Sequence, residues 1–220
     1  RYVSIATRSN KLAHIRKYVL LLKILAPEMT QMYDALCYMK VPKENAGTQR
    51  RDTENLSLVE IRKIQKFLMA NTRAIDVRNR LVFELGLSTG LRREEMANLM
   101  WKDINFDDEV IHVRHGKRDK ERYVAIIPGT TINAIDTLTY WKMQFSSYGE
   151  YVFPPMYKGE PKEGRHLTAD SIGNIIEDIR SGSGIYFTHH TLRRTHLTEM
   201  YRVNKDIAEL RQQSGHSNIE

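Results

Sequence analysis

Apolar residues recur at helical spacing through the first part of the chain. Over residues 7–39 the pattern predicts amphipathic helix: apolar residues return every three or four positions up to Leu25, and a second apolar stretch follows Pro27 through Met32, Leu36 and Met39. The pattern stops over residues 41–55, where Pro42, Gly47 and a run of polar residues are typical of a linker. We therefore predict a helical domain over residues 1–46, a linker over 47–55 and a second domain over 56–220.

The second domain is predicted to be mainly helical. Ser57 and Glu60 have the spacing of a capping box at the start of a helix. The apolar segment 77–87 predicts a buried helix, which Ser88, Thr89 and Gly90 interrupt. Further helices are predicted over 92–100, 131–143, 168–180, 188–201 and 206–213.

Two short segments of this domain are predicted to be strands. Residues 110–114 alternate apolar with polar positions, residues 122–127 are rich in β-prone residue types, and the polar stretch 115–121 between them is typical of a hairpin loop. Residues 151–165 contain proline and glycine and are predicted to be a connection. The expected fold class is therefore α+β, mainly α with a small antiparallel β-hairpin or sheet.

Charge and cysteine content narrow the possible partners. The 220 residues carry a formal charge of +7, which favours a polyanionic partner such as nucleic acid. Cys37 is the only cysteine, so an internal disulfide and a cysteine-rich zinc site are excluded, and a reducing cytoplasm is favoured. Since no apolar run approaches the roughly 20 residues that span a bilayer, no membrane association is expected.

A small set of proton and hydrogen-bond donors could act on phosphate. Arg92 follows a glycine break at a helix start, His190 and Arg193 share one helical face, Lys117 lies in the hairpin loop, and His216 lies at a turn. None belongs to an acidic cluster of the kind that holds Mg²⁺. Such a set suits a metal-free reaction at a phosphodiester, in which arginines bind the non-bridging oxygens and Lys or His protonates the leaving oxygen.

Each of these residues also has a structural interpretation. An arginine after a helix start usually forms a surface ion pair, and a lysine in a hairpin loop is usually solvated. His190 would serve equally well as a buried, hydrogen-bonded histidine, and His216 as part of a helix cap. Spacing alone therefore leaves the phosphate site as one of two interpretations.

Four segments, in this order along the chain, resemble the signature motifs of tyrosine recombinases of the Xer and phage-integrase type. They are TGLRREEM at 89–96, followed by Leu99, Trp101, Asp103 and Ile104; the β-hairpin lysine motif of Gly116, Lys117, Lys120, Glu121 and Arg122; HTLRRT at 190–195; and SGHS at 214–217. The resemblance covers residues 56–220. It implies the catalytic-domain fold of that family and, more loosely, identifies residues 1–46 as the end of its helical DNA-clamping domain.

The resemblance also implies roles for individual residues. Arg92 and Arg193 would bind the scissile phosphate, and His216 would hydrogen-bond it. Lys117 would be the general acid toward the leaving 5′ oxygen, and His190 a general acid/base aimed at the nucleophile.

Three further residues have supporting or substitute roles in this scheme. Glu95 would orient Arg92 without touching the phosphate. Lys120 would replace Lys117, and His189 would replace His190, if the motif is shifted by a few positions.

The nucleophilic tyrosine of that family follows the Gly-His motif, but no tyrosine follows His216. Tyr201, on the helix of Arg193, is expected to be a packing residue. The nucleophile is therefore expected beyond Glu220, and residues 1–220 alone are expected not to cleave DNA covalently.

The resemblance implies site-specific recombination or integration of DNA, including mobile genetic elements, through a 3′-phosphotyrosyl intermediate and without cofactor or metal. The expected partner is double-stranded DNA, bound by four protomers on two sites in the cytoplasm at the nucleoid, with Arg8, Lys11, Arg16 and Lys120 as further DNA contacts. The alternatives are a non-catalytic DNA-binding protein on the same fold, a type IB topoisomerase and a metal-free ribonuclease.

Overall fold

The computed structural model describes residues 11–16, 19, 35–36, 55–114, 121–127 and 133–204. The chain divides into two compact units, residues 1–50 and 51–220. The described residues of the first unit are helical, and Val19 is buried. The predicted DNA-clamping role of this unit stays a prediction.

The second unit is mainly helical, and the predicted fold class is confirmed. Its described helices α1–α6 are Leu58–Leu68, Ala74–Thr89, Arg93–Ala97, Ala134–Phe145, Ala169–Ser183 and His189–Asn204. Its described strands β1–β5 are Ile104–Asn105, Val110–Val113, Arg122–Ala125, Met156–Tyr157 and Glu160–Pro161, with short 3₁₀ turns at Trp101–Asp103 and Ser146–Tyr148.

Helix α1 begins at the predicted capping box. The Ser57 hydroxyl accepts a hydrogen bond from the Glu60 N–H at 3.3 Å, and the Glu60 carboxylate accepts one from the Ser57 N–H at 2.9 Å. These two bonds satisfy backbone donors that have no partner within the helix. Of its apolar stripe, Ile61, Ile64 and Leu68 are buried, while Phe67 is 39% exposed.

Helix α2 forms the centre of the core. Leu81, Val82, Phe83 and Leu85 are fully buried, as predicted for a helix that is apolar on most sides. Ser88 and Thr89 still belong to the helix, and only Gly90 ends it, in the left-handed conformation with φ +59°.

A three-stranded antiparallel sheet in the order β1-β2-β3 lies beside the helices. Val113 pairs with Arg122, and Ile111 pairs with Val124. Ile111 and Val124 are fully buried, while Tyr123 is 61% exposed, so one face of the sheet packs on the core. Strand β1 was not predicted.

The predicted helix over 92–100 is wrong in its second half, because α3 ends at Ala97. The backbone of Leu99 and Trp101 bonds elsewhere: Leu99 O accepts from Val152 N, and Trp101 N donates to Glu150 O, both at 2.9 Å. Since these groups bond to another segment of the chain, they cannot continue the helix. The predicted connection 151–165 also contains the small β4–β5 hairpin.

Helix α6 packs against α2 and completes the core. Its start is fixed by a reciprocal pair in which Thr188 N donates to the Thr191 hydroxyl at 3.1 Å and Thr191 N donates to the Thr188 hydroxyl at 3.2 Å. Leu192 is fully buried against Gly86 of α2. Within the described parts of the chain, we find no helix with the length and hydrophobicity needed to cross a membrane.

Candidate functional site

The turn after α2 brings two distant segments together. A Cβ atom on Gly90 would lie 2.9 Å from Cδ2 of His196 and 3.5 Å from Cγ of Arg193, both on α6. The Gly90 carbonyl accepts a hydrogen bond from Nη1 of Arg193. A glycine is needed here both for its positive φ and for this close approach. The turn therefore places Arg92 beside the helix that carries Arg193.

Arg92 and Glu95 cap the start of α3. Arg92 N donates to Oε2 of Glu95 at 2.7 Å, and Arg92 Nη1 donates to Oε1 at 2.8 Å. The Arg92 side chain is 25% exposed, whereas that of Glu95 is 3% exposed. The carboxylate thus accepts hydrogen bonds from both the backbone and the side chain of Arg92.

Glu95 receives a second arginine from strand β3. Arg122 donates from Nη1 to Oε1 at 2.8 Å and from Nη2 to Oε2 at 2.7 Å, a bidentate geometry. Burial acts to raise the pKa of Glu95, but hydrogen bonds from Arg122 and Arg92 outweigh it and lower the pKa to about 2. Glu95 is therefore ionised at neutral pH.

Arg193 is buried in the same cluster, with 4% of its surface exposed. Burial is the largest cause that lowers its pKa to about 10, and the charge of Arg92 adds to this while Glu95 opposes it. Arg92 and Arg193 thus lie within electrostatic reach of each other. Guanidinium groups gathered around a single carboxylate favour a further anion nearby.

The two neighbouring histidines at the start of α6 differ in accessibility. His190 is exposed, and burial together with Arg194 and Arg193 lowers its pKa, which favours the neutral ring. His189 is buried, and its Nε2 has no hydrogen-bond partner among the residues described. His190 is therefore the one of the pair that a substrate can reach.

His196 lies one turn beyond Arg193 on the buried face of α6. Its Nδ1 is 3.0 Å from the Leu87 carbonyl, and its buried Nε2 has no partner within the described part of the chain. Burial lowers the pKa of both His189 and His196 to about 4. Both rings are therefore neutral near pH 7.

The other candidate residues divide into three groups. Lys117, Lys120, His216 and Arg8 lie outside the described residues. Lys11 is exposed, whereas Nε of Arg16 donates to the Leu36 carbonyl at 2.8 Å. Tyr201 is 47% exposed, so its expected packing role is wrong. Nowhere in the described ranges do three or more His, Cys, Asp or Glu side chains form a group able to hold a metal ion.

The sequence places Arg122 in a motif without indicating a role for it, and it does not single out His196. The signal for Arg122 was the period of the strand, because Arg122 and the buried Val124 must share a face. A charged residue on an inward face requires a partner of opposite charge. The signal for His196 was weaker, since its spacing from Arg193 on a helix is equally typical of an exposed polar face.

Comparison with known proteins gives concordant matches. The phage integrase family model matches residues 55–220. A tyrosine recombinase XerA of Thermococcus onnurineus is 28% identical over 82% of this chain and 57% of its own length, and a tyrosine recombinase of Agathobacter rectalis is 32% identical over 65% and 45%. This chain thus spans about half the length of the curated relatives it matches.

Among solved structures, a lambda integrase tetramer bound to a Holliday junction has a similar fold. The TM-score is 0.60 at 18% sequence identity, and the match covers 95% of this chain and 64% of that one. At this identity the likeness shows the fold alone.

Proposed function

Because the chain belongs to the phage integrase family, we propose that the protein cuts and rejoins DNA at specific sites through a covalent bond between a tyrosine and a 3′ phosphate. The observation that carries the proposal is the cluster around Glu95. There Arg92 and Arg193, from segments about a hundred residues apart, lie within electrostatic reach of each other. Such a pair suits a phosphate whose negative charge grows during the reaction.

The proposed reaction begins when the tyrosine oxygen attacks phosphorus. The bond from phosphorus to the 5′ oxygen breaks, and that oxygen leaves as a hydroxyl after taking a proton. Attack by a 5′ hydroxyl on the phosphotyrosyl bond then rejoins a strand and releases the tyrosine. The bond energy stays in the intermediate, so the exchange balances without a nucleotide.

We assign the protein groups as follows. Arg92 and Arg193 hold the non-bridging oxygens, and the exposed, neutral His190 accepts the tyrosine proton. Lys117 and His216 keep the roles of leaving-group acid and phosphate donor that the motif resemblance implies. The position of the tyrosine beyond Glu220 stays a prediction.

Double-stranded DNA is the proposed partner, bound by four protomers on two sites. The charge of +7 supports a polyanionic partner. The similar fold of the lambda integrase tetramer, which is bound to a Holliday junction, supports the assembly. Activity at the nucleoid belongs to the same proposal.

The test uses the full-length protein and a duplex selected from a random-sequence library by binding to it. A nick beside the cleavage site lets the cut end diffuse away, so that the covalent adduct accumulates and survives SDS. Mass spectrometry of the adduct identifies the attached tyrosine. Arg193→Lys keeps the charge but loses the planar fork, and we expect adduct formation to fall at least about a hundredfold.

Arg80→Lys is the matched control, because Arg80 pairs with a buried glutamate inside α2. It is expected to react as the wild type does. If Arg193→Lys weakened DNA binding and cleavage by the same factor, Arg193 would contribute to DNA binding alone and not to the cleavage step. Specific binding without an adduct would favour the non-catalytic DNA-binding alternative, relaxation without strand exchange would favour a topoisomerase, and cleavage of RNA alone a ribonuclease.

A further inference from the structure

Arg122 is a buried arginine in a position that the proposed chemistry does not by itself explain. It begins strand β3, pairs with Val113 and faces the core on the same side as Val124. Its side chain is 7% exposed. Burying a guanidinium is costly unless a carboxylate and good geometry compensate it.

The compensation comes from Glu95, and it uses both carboxylate oxygens. The two contacts of 2.8 and 2.7 Å form a bidentate pair, in which two guanidinium nitrogens meet two carboxylate oxygens. Such a pair fixes the rotation of the carboxylate, since turning it would break both bonds at once. A single ammonium group could not fix the rotation in this way.

Each of these oxygens also accepts a bond from Arg92. Oε1 accepts from Arg92 Nη1 at 2.8 Å, and Oε2 accepts from Arg92 N at 2.7 Å. The orientation of Glu95 therefore sets both the backbone at the start of α3 and the direction of the Arg92 side chain. A residue that fixes the orientation of the Glu95 carboxylate therefore also fixes the position of the Arg92 side chain.

The way in which Arg92 and Arg122 share the negative charge of Glu95 supports the same conclusion. One carboxylate shared between two guanidiniums neutralises neither of them completely. If Arg122 lost its fork, Glu95 could rotate into a bidentate pair with Arg92 and draw Arg92 away from a phosphate. Arg122 thus prevents Glu95 from forming a bidentate pair with Arg92, and Arg92 stays available to the phosphate.

We propose that Arg122 is a positioning residue that acts through Glu95 to hold Arg92 in place for the phosphate. The inference rests on the proposed function and adds a residue to the same site. Arg122 touches no substrate in this scheme. Its substitution should therefore lower the rate of cleavage at saturating DNA and leave the affinity for DNA unchanged.

The experiment measures single-turnover adduct formation by the full-length protein on the selected nicked duplex. The variants are Arg122→Lys, Glu95→Gln and the double variant, with Arg80→Lys as the control. Arg80 lies about 15 Å along the α2 axis from Gly90, far from the cluster. All assays are run at a temperature well below the midpoint of thermal unfolding of each variant, which circular dichroism measures. Each variant is then fully folded during the assay.

We expect Arg122→Lys to lower the rate constant about tenfold to a hundredfold, as a misplaced catalytic group does, with the Kd for DNA within twofold of wild type. Glu95→Gln should do the same, and the double variant should be no slower than the slower single variant, because both act through one contact. If Arg122→Lys does not fold, the same selective loss of rate in Glu95→Gln is required.

Two results would overturn the inference while leaving the proposed function intact. One is a wild-type rate in Arg122→Lys beside a large loss in Arg193→Lys. The other is a set of losses that multiply in the double variant, which would mean that Arg122 and Glu95 act independently, or a loss of rate accompanied by weaker DNA binding, which is the behaviour of a purely structural pair. Absence of any adduct with the wild-type protein would overturn the proposed function, and this inference with it.

Discussion

The interior of helix α2 and the short helix α3 each contain a buried glutamate beside an arginine. In the interior, Glu84 is 1% exposed, and Oε1 accepts from Arg80 Nε at 2.8 Å, while Oε2 has no partner among the described residues. After the turn, each oxygen of Glu95 accepts two hydrogen bonds. The two carboxylates are similarly buried, but they differ in the number of hydrogen bonds that their oxygens accept.

The arginines that pair with these two glutamates differ in their exposure to solvent. The Arg80 side chain is 33% exposed and can turn to water, whereas that of Arg122 is 7% exposed and cannot. The first pair links neighbouring turns of one helix, and the second links the start of α3 to strand β3. Burial of an ion pair is therefore a poor guide to its role, and the number of segments that it joins is a better one.

The largest effect of a single substitution should come from removing the charge of Glu95, with removal of the Glu84 charge as the comparison. Glu95→Gln removes the charge that pairs with the buried Arg122 and acts on the buried Arg193, so the free energy of unfolding should fall by about 3–5 kcal/mol. Glu84→Gln removes a charge whose partner can reach water, so the change should stay within about 1 kcal/mol. Urea denaturation monitored by circular dichroism measures both, and equal losses would remove the contrast between the two regions.

Acid should weaken the region around Glu95 in a defined pH window. Burial lowers the pKa of His189 and His196 from 6.5 to about 4, so the unfolded chain binds protons first as the pH falls. Each ring should reduce the free energy of unfolding by about 3 kcal/mol between pH 6.5 and 4, at about 1.4 kcal/mol per pKa unit.

Urea denaturation at a fixed temperature, repeated between pH 6.5 and 4, gives the slope of the free energy of unfolding against pH. His196→Gln should remove about half of this slope. Glu95, with its pKa lowered to about 2, adds its own loss only below about pH 4.5. A free energy of unfolding that stays flat between pH 6.5 and 4.5 would contradict the buried, neutral state of the two rings.

The smallest of the three effects compares Gly90, which ends α2, with Gly86 inside that helix. Gly90→Ala introduces a Cβ at φ +59° and 2.9 Å from His196, which should cost about 2 kcal/mol. Gly86→Ala has ordinary helical backbone, and its Cβ would meet the end of the Leu192 side chain at 2.9 Å. Because alanine also favours the helix by about 1 kcal/mol, Gly86→Ala should cost less. Thermal unfolding of the two variants ranks them, and the reverse order would count against the strain assigned to Gly90.

Local signals explain most of what the sequence predicted correctly. The Ser57 capping box and the glycine that ends α2 depend on residues near them in the chain, so both could be read from short windows. Strands β1, β4 and β5 have two residues each, too few to show a period, and they exist because distant segments pair with them. Helix α3 was predicted too long for the same reason.

Motifs along the chain indicated part of the candidate site. Arg92, Glu95 and Arg193 could be named from the chain because each lies in a recognisable segment, and their proximity needed the fold. Arg122 lies in such a segment too, but its partner is 27 positions away, and only the alternation of β3 hints that it faces inward. The burial of His189 and the exposure of its neighbour His190 depend on how α6 rotates against α2, which no local pattern fixes.

The hydrogen bond from Arg193 to the Gly90 carbonyl closes a span of 103 residues. A ribosome adds about 5 to 20 residues each second, so Arg92 leaves the exit tunnel about 5 to 20 s before Arg193 does. During that interval the end of α2 has no α6 to cover it, and the paired arginines do not exist. A nascent chain therefore acquires the proposed phosphate-binding site only after α6 has been made, when α2 and the sheet β1-β2-β3 have already emerged.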